Sequence, residues 1–161
     1  EAVLRTLSER VTRFLQVRGP NLIPEVPFAV PSVECAEQFR DGHYFGCLAL
    51  TQTVLEAIVR HVWQIKVKKK PNQEVPFEKS LSALHKKKLI SDEGKTKLDQ
   101  MWANRLSFRH LHLSVECDQQ QLEEMAHNMV KLLNDLEREF FGFKVLDGLV
   151  IPEHPEYWPS N

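Results

Sequence analysis

Residues 102–112 carry the side chains of this sequence that are best suited to chemistry. The polar members are Asn104, Arg105, Ser107, Arg109, His110 and His112. Arginine supplies a fixed positive charge and a planar set of donors that match a phosphate group. Histidine gives or takes a proton near neutral pH. Together these residue types suit the cleavage of a phosphodiester.

The apolar residues of the same segment alternate with the polar ones, which indicates that the segment is anchored in a core. They are Trp102, Leu106, Phe108 and Leu111. A second interpretation stays open, because short motifs also occur by chance. In it the segment is a helix end, with cations at the negative end of the helix dipole and polar groups that satisfy one another. The elements that position the segment therefore matter.

Hydrophobic periodicity predicts these elements to be helical. The expected helices span residues 1–17, 32–41, 43–66, 76–88, 91–108 and 118–140. The fold class is then all-α, an up-down bundle of four to five helices with an extended C-terminal tail. As a single domain it divides into an N-terminal helix and proline-rich connector at 1–31, a bundle at 32–141 and a tail at 142–161.

Local signals mark where several helices begin and end. Ser32 and Ser91 are expected N-caps, and Asp118 with Gln121 is the pattern of a capping box. Gly142 is expected to end the last helix. The tail contains apolar residues that suit a short strand or an extended packing segment.

Glu56 stands in the middle of the most apolar helix, between Leu55 and Ala57. A carboxylate there needs a partner, and an arginine is one expectation. The other expectation, equally weighted, is that Glu56 lies on a polar edge near Gln52 or Arg60.

The charges of the chain are unevenly distributed, although the formal net charge is only −1. Residues 66–97 hold ten lysines against four acidic residues, whereas residues 116–139 hold seven acidic residues against two basic ones. The first region suits contact with a polyanion. The candidate RNA-binding residues are Lys68, Lys69, Lys70, Lys86, Lys87 and Lys88. Two solvated helix surfaces are the alternative interpretation.

Several classes of protein are not indicated. The three cysteines, Cys35, Cys47 and Cys117, show no zinc-ligand spacing and suggest reduced thiols in a cytoplasmic protein. No apolar run reaches the length of a membrane span, and no signal peptide is recognised. Patterns for nucleotide-binding loops and zinc proteases are also missing, so no cofactor and no metal is expected.

The order of these features resembles the HEPN superfamily of all-α domains. The resemblance covers about residues 32–140: Glu56 in an apolar helix, a basic loop, Leu89-Ile90-Ser91, and then Arg105 followed after four residues by His110. An arginine and a histidine separated by four to six residues are the defining motif of that family. His112 fits the longer spacing. Leu106 departs from the pattern, because a polar residue, often asparagine, follows the arginine in much of the family.

The resemblance implies a homodimer in which the motifs of two subunits share one cleft. Active members are metal-independent endoribonucleases, whereas others bind RNA or a partner protein without catalysis. A cognate antitoxin is one such partner, and no membrane is involved.

If the chain is catalytic, His110 is the expected acid or base, and Arg105 is the expected phosphate clamp. Glu56 is expected to orient Arg105, with Ser107, Arg109 and His112 assisting. Asn104 is a supporting residue before the arginine. A metal-dependent nuclease is poorly supported, since no carboxylate cluster has ligand spacing.

Overall fold

The computed structural model describes residues 2–17, 26–67, 75–103 and 118–158. In these ranges the chain forms a helical bundle followed by one small hairpin, which confirms the all-α prediction. The helices are α1 (Ala2–Gln16), α2 (Ala29–Asp41), α3 (Tyr44–Lys66), α4 (Phe77–Lys86), α5 (Asp92–Ala103) and α6 (Gln119–Phe141). The remaining elements are β1 (Phe143–Leu146), β2 (Leu149–Pro152) and a 3-10 turn (Pro155–Tyr157).

Helix α3 is the centre of the bundle and packs against α2, α4 and α6. Leu55, Ile58 and Val59 are completely buried in it, which explains why its sequence is apolar on several faces. Helix α2 runs antiparallel to α6, since Phe28 contacts Phe141 at one end and Phe39 stacks on His127 at the other.

The N-terminal signals of α5 and α6 act as the sequence predicts. The hydroxyl of Ser91 accepts the Gly94 N–H at 3.1 Å. The carboxylate of Asp118 accepts the Gln121 N–H at 2.8 Å, and the Gln121 amide oxygen accepts the Asp118 N–H at 3.1 Å. This reciprocal pair is a capping box.

The expected start of α2 at Ser32 was wrong. The helix begins at Ala29, and Pro31 is tolerated in its first turn because the N–H groups there have no partner within the helix. Ser32 lies inside the helix, is buried, and donates a hydrogen bond to Glu137 of α6. Ser32 thus acts as the partner of a buried carboxylate in the core and does not cap the helix.

The same part of the core holds two cysteines. Cys35 and Cys47 are free thiols and completely buried. Burial raises the pKa of the Cys35 thiol to about 12 and that of the Cys47 thiol to about 11, each partly offset by a hydrogen bond with Thr51. Both therefore remain protonated, as expected for unreactive structural cysteines.

The C-terminal tail contains a two-stranded hairpin, so the strand is the form that it takes. β1 and β2 pair antiparallel, with Val145 opposite Val150. Asp147 and Gly148 both have positive φ, 51° and 79°, the requirement of the two-residue turn that matches the twist of a hairpin. Beyond it, Tyr157 is buried against Phe140.

Candidate functional site

Residues 102–112, called the Arg–His segment from here on, lie mostly outside the described residues. Asn104, Arg105, Ser107, Arg109, His110 and His112 all fall between the end of α5 and Asp118, and Lys68, Lys69 and Lys70 fall between α3 and Val75. The structure does describe the two ends from which the segment departs, the helices beside them, Glu56 and the other three lysines.

The first end of the segment is held by Trp102. Its indole stacks on Phe77 of α4, with ring centroids 4.3 Å apart and 23° between the ring planes. Its Nε1–H donates a hydrogen bond to the Glu78 carboxylate. These contacts join the last turn of α5 to the first turn of α4, and Arg105 follows only three residues later.

The second end of the segment leads into the capped start of α6. There Gln119, Gln120 and Glu123 line a shallow cleft with Thr12 and Arg13 of α1. The start of α6, which follows the segment in the sequence, thus lies beside α1, a helix far away in the sequence. Nothing in the sequence indicated this neighbour.

Glu56 pairs with an arginine of its own helix. The Arg60 guanidinium donates from Nε and Nη2 to one Glu56 oxygen, at 3.0 and 2.9 Å, and its Nη1 donates to the Val75 carbonyl at 3.3 Å. The Glu56 side chain is 18% exposed. This geometry matches the expectation of a polar edge near Arg60; any contact with Arg105 lies outside the described residues.

Lys86, Lys87 and Lys88 form an exposed basic turn at the end of α4. None of the three forms an ion pair with another described residue. Lys87 Nζ donates to the Lys66 carbonyl at 3.1 Å, which places this turn beside the end of α3. Lys68, Lys69 and Lys70 begin two residues after Lys66 in the sequence and lie outside the described residues.

A cleft of about 400 Å³ opens between α3, α5 and α6. All three methionines of the chain line it, Met101 from α5 and Met125 and Met129 from α6. Gln52 of α3 also lines it and is buried, and its Oε1 has no hydrogen-bond partner among the described residues. Sequence reasoning missed this cleft, because methionines far apart in the chain do not reveal that their helices meet.

The edge of the cleft carries Lys97, Lys131 and Asp135. Lys97 is paired with Glu93 at 2.6 Å. The cleft therefore combines a flexible apolar wall with polar groups, the usual composition of a binding site. Met101 is four residues before Arg105, so this cleft adjoins the start of the Arg–His segment.

Within the described ranges, no group of three or more histidine, cysteine, aspartate or glutamate residues is arranged to hold a metal ion. No helix there is long and apolar enough to span a membrane.

No protein-family model, curated protein or solved structure matches this chain.

Proposed function

We propose that this chain is a cytoplasmic, metal-independent endoribonuclease of the HEPN type that acts as a homodimer. One His110 removes the proton of a ribose 2′-OH, and the 2′-oxygen attacks the adjacent phosphorus. The second copy's His110 protonates the leaving 5′-oxygen, while Arg105 stabilises the charge on the phosphoryl oxygens. The products are a 2′,3′-cyclic phosphate and a 5′-hydroxyl end. DNA is resistant because it has no 2′-OH.

The observation that supports this proposal is the anchoring of the residue that precedes the motif in the sequence. Arg105 follows Trp102 by three residues, and Trp102 is held by Phe77 and Glu78. A fixed starting point favours a positioned catalytic segment over a freely solvated charge run.

Two further features support RNA as the substrate. The exposed turn Lys86–Lys88 offers cations that no described carboxylate neutralises, and such cations bind phosphates of any sequence. Helix geometry supports the proposed dimer. On a continuous helix, positions five apart are separated by about 140°, so Arg105 and His110 of one copy would not share a face and a site that holds both would need a second copy.

The test is cleavage of mixed RNA by the purified chain in EDTA. We expect cyclic phosphate ends, and we expect Arg105→Ala and His110→Ala each to lose activity by about 10²–10⁴-fold while helix content is kept. His112→Ala should lose less. His43→Ala is the matched control, because His43 is an exposed histidine at the start of α3.

A non-catalytic binding module is the second candidate, either for RNA or for a partner protein such as a cognate antitoxin. The methionine-lined cleft favours it, because flexible apolar clefts accommodate partner side chains. Leu106, where a polar residue often follows the arginine, favours it too. RNA binding without any cleavage, unaffected by His110→Ala, would select this candidate.

A further inference from the structure

Helix α1 presents its apolar side to the solvent. Leu7, Val11 and Phe14 lie on one face of the helix and are 56%, 51% and 56% exposed. Arg13, on the opposite side, is only 9% exposed. An amphipathic helix normally buries its apolar face, so this orientation leaves α1 without the burial that usually stabilises such a helix.

Polar contacts hold α1 in this orientation. Arg13 Nε donates to the Arg40 carbonyl at 2.9 Å, and Arg13 Nη1 donates to the Tyr44 hydroxyl at 3.4 Å. Arg10 pairs with Asp41 at 2.6 Å. The side of α1 that faces the bundle is thus already occupied by specific hydrogen bonds. The apolar face is left exposed to the solvent.

The apolar face forms one wall of a groove of about 600 Å³ between α1 and α2. Its apolar lining is Leu7, Val11 and Phe14, and its charged lining is Arg10, Glu37, Arg40 and Asp41. An apolar centre with a charged edge is the usual anatomy of a protein interface.

The charges on this groove are balanced but incompletely paired. Arg10 and Asp41 neutralise each other. Glu37 forms no ion pair within the described part of the chain, and Arg40 has no carboxylate partner there. The Arg40 guanidinium instead lies over the Phe14 ring, 4.2 Å from its centroid, and donates to the Val17 carbonyl at 3.2 Å. One acid and one base therefore remain on the same groove.

We propose that this groove is a two-fold interface with a second copy of the chain. In a two-fold interface a residue i of one copy meets residue j of the other, and j meets i. Glu37 of each copy then pairs with the partner's Arg40, and both ion pairs form at once. Leu7, Val11 and Phe14 of the two copies cover one another at the centre.

The charge balance selects this occupant over an anionic membrane surface. A helix that binds such a surface carries an excess of lysine and arginine around its apolar face. Here the groove has two basic and two acidic residues. A second copy has the same two acidic and two basic residues, and the two-fold axis places each Glu37 opposite the Arg40 of the other copy. Both residues then have an ion-pair partner.

The proposed function requires a homodimer, and this groove is the surface through which we infer that the homodimer forms. To that extent the inference rests on the proposed function. Thr12 and Arg13 of α1 line a cleft with Gln119 and Gln120 at the start of α6. Two copies joined through α1 would therefore each have the start of α6 next to the helix that forms the interface.

The test is sedimentation velocity of the full chain at micromolar concentration. We expect a dimer for the wild type and a monomer for Val11→Glu. Glu37→Arg alone and Arg40→Glu alone should each weaken dimerisation by at least tenfold, because like charges then face each other twice. The double variant should dimerise again. An equal mixture of the two single variants should form the heterodimer, since both of its pairs are of opposite charge.

Val145→Glu on the exposed hairpin is the matched control for adding a charge to an apolar surface, and circular dichroism checks that every variant keeps its helices. A monomeric wild type would overturn the interface. So would a dimer that Val145→Glu breaks and Val11→Glu does not, or a mixture of single variants that stays monomeric. If the chain forms a dimer with these charge effects but cleaves no RNA, the result supports the interface and contradicts only the proposed ribonuclease activity.

Discussion

Trp102 and Phe77 stack with their ring centroids 4.3 Å apart, and this contact ties the end of α5 to the start of α4. The two residues are 25 positions apart in the sequence. The contact holds the last turn of α5, which ends two residues before Arg105 in the sequence. Any activity of the Arg–His segment should therefore depend on an aromatic pair that itself touches no substrate.

Replacing Trp102 with alanine should lower the free energy of unfolding by about 1–3 kcal/mol, since it removes a half-buried aromatic contact and the hydrogen bond to Glu78. The rate of RNA cleavage should fall by more than the loss of folded protein accounts for, because Trp102 no longer anchors the start of the Arg–His segment. Trp102→Phe keeps a stacking ring and should retain most activity. Urea unfolding and initial cleavage rates measure the two effects. Equal activity in both variants would contradict the anchoring role.

The buried pair of Ser32 and Glu137 gives a second prediction. Ser32→Ala removes a hydrogen-bond donor from a completely buried carboxylate, and the expected cost is about 1–3 kcal/mol. Ser82→Ala on the exposed face of α4 is the control and should change stability little. Chemical unfolding followed by circular dichroism compares them. Similar midpoints for the two variants would refute a stabilising role of the Ser32 hydroxyl.

The basic turn Lys86–Lys88 should contribute to RNA affinity through phosphates alone. Changing all three lysines to glutamine should weaken binding about equally for different sequences. It should also reduce the slope of log affinity against log salt by about 0.7 for each phosphate that the variant no longer neutralises. Fluorescence anisotropy with two unrelated single strands at several salt concentrations measures both quantities. An unchanged slope would mean that the turn is only a solvated surface.

His61 should make the fold sensitive to mild acid. Burial between Phe28 and Phe141 lowers its pKa, an effect that a backbone hydrogen bond at Tyr157 partly offsets. The unfolded chain, in which the pKa of histidine is about 6.5, then binds protons more readily than the folded chain. This contribution to stability is present above about pH 6.5 and is lost as the pH falls toward and through the lower pKa of the folded state.

His61→Gln should therefore reduce the fall in melting temperature between about pH 7.5 and pH 5.5. His43→Gln, at an exposed histidine, is the control and should leave the pH dependence nearly as in the wild type. If His61→Gln and the wild type lost the same number of degrees over this range, another group would be responsible.

The local signals of the sequence determined where α5 and α6 begin. The hydroxyl of Ser91 and the capping box of Asp118 and Gln121 act between residues three apart, so they need no tertiary contact to operate. The Asp147–Gly148 turn is equally local, because it requires only two residues that tolerate positive φ. The apolar character of α3 likewise indicated the central helix.

Only the tertiary structure decided which faces meet. Ser32 looked like a helix cap until a carboxylate 105 residues away in the sequence was found beside it. The amphipathic pattern of α1 was evident, but the contacts of Arg13 with α2 and α3 turned its apolar face outward. Met101 and Met129 line one cleft because α5 and α6 pack side by side. Such arrangements depend on long-range packing and on the pairing of buried polar groups, and the spacing of residues along one helix carries no information about either.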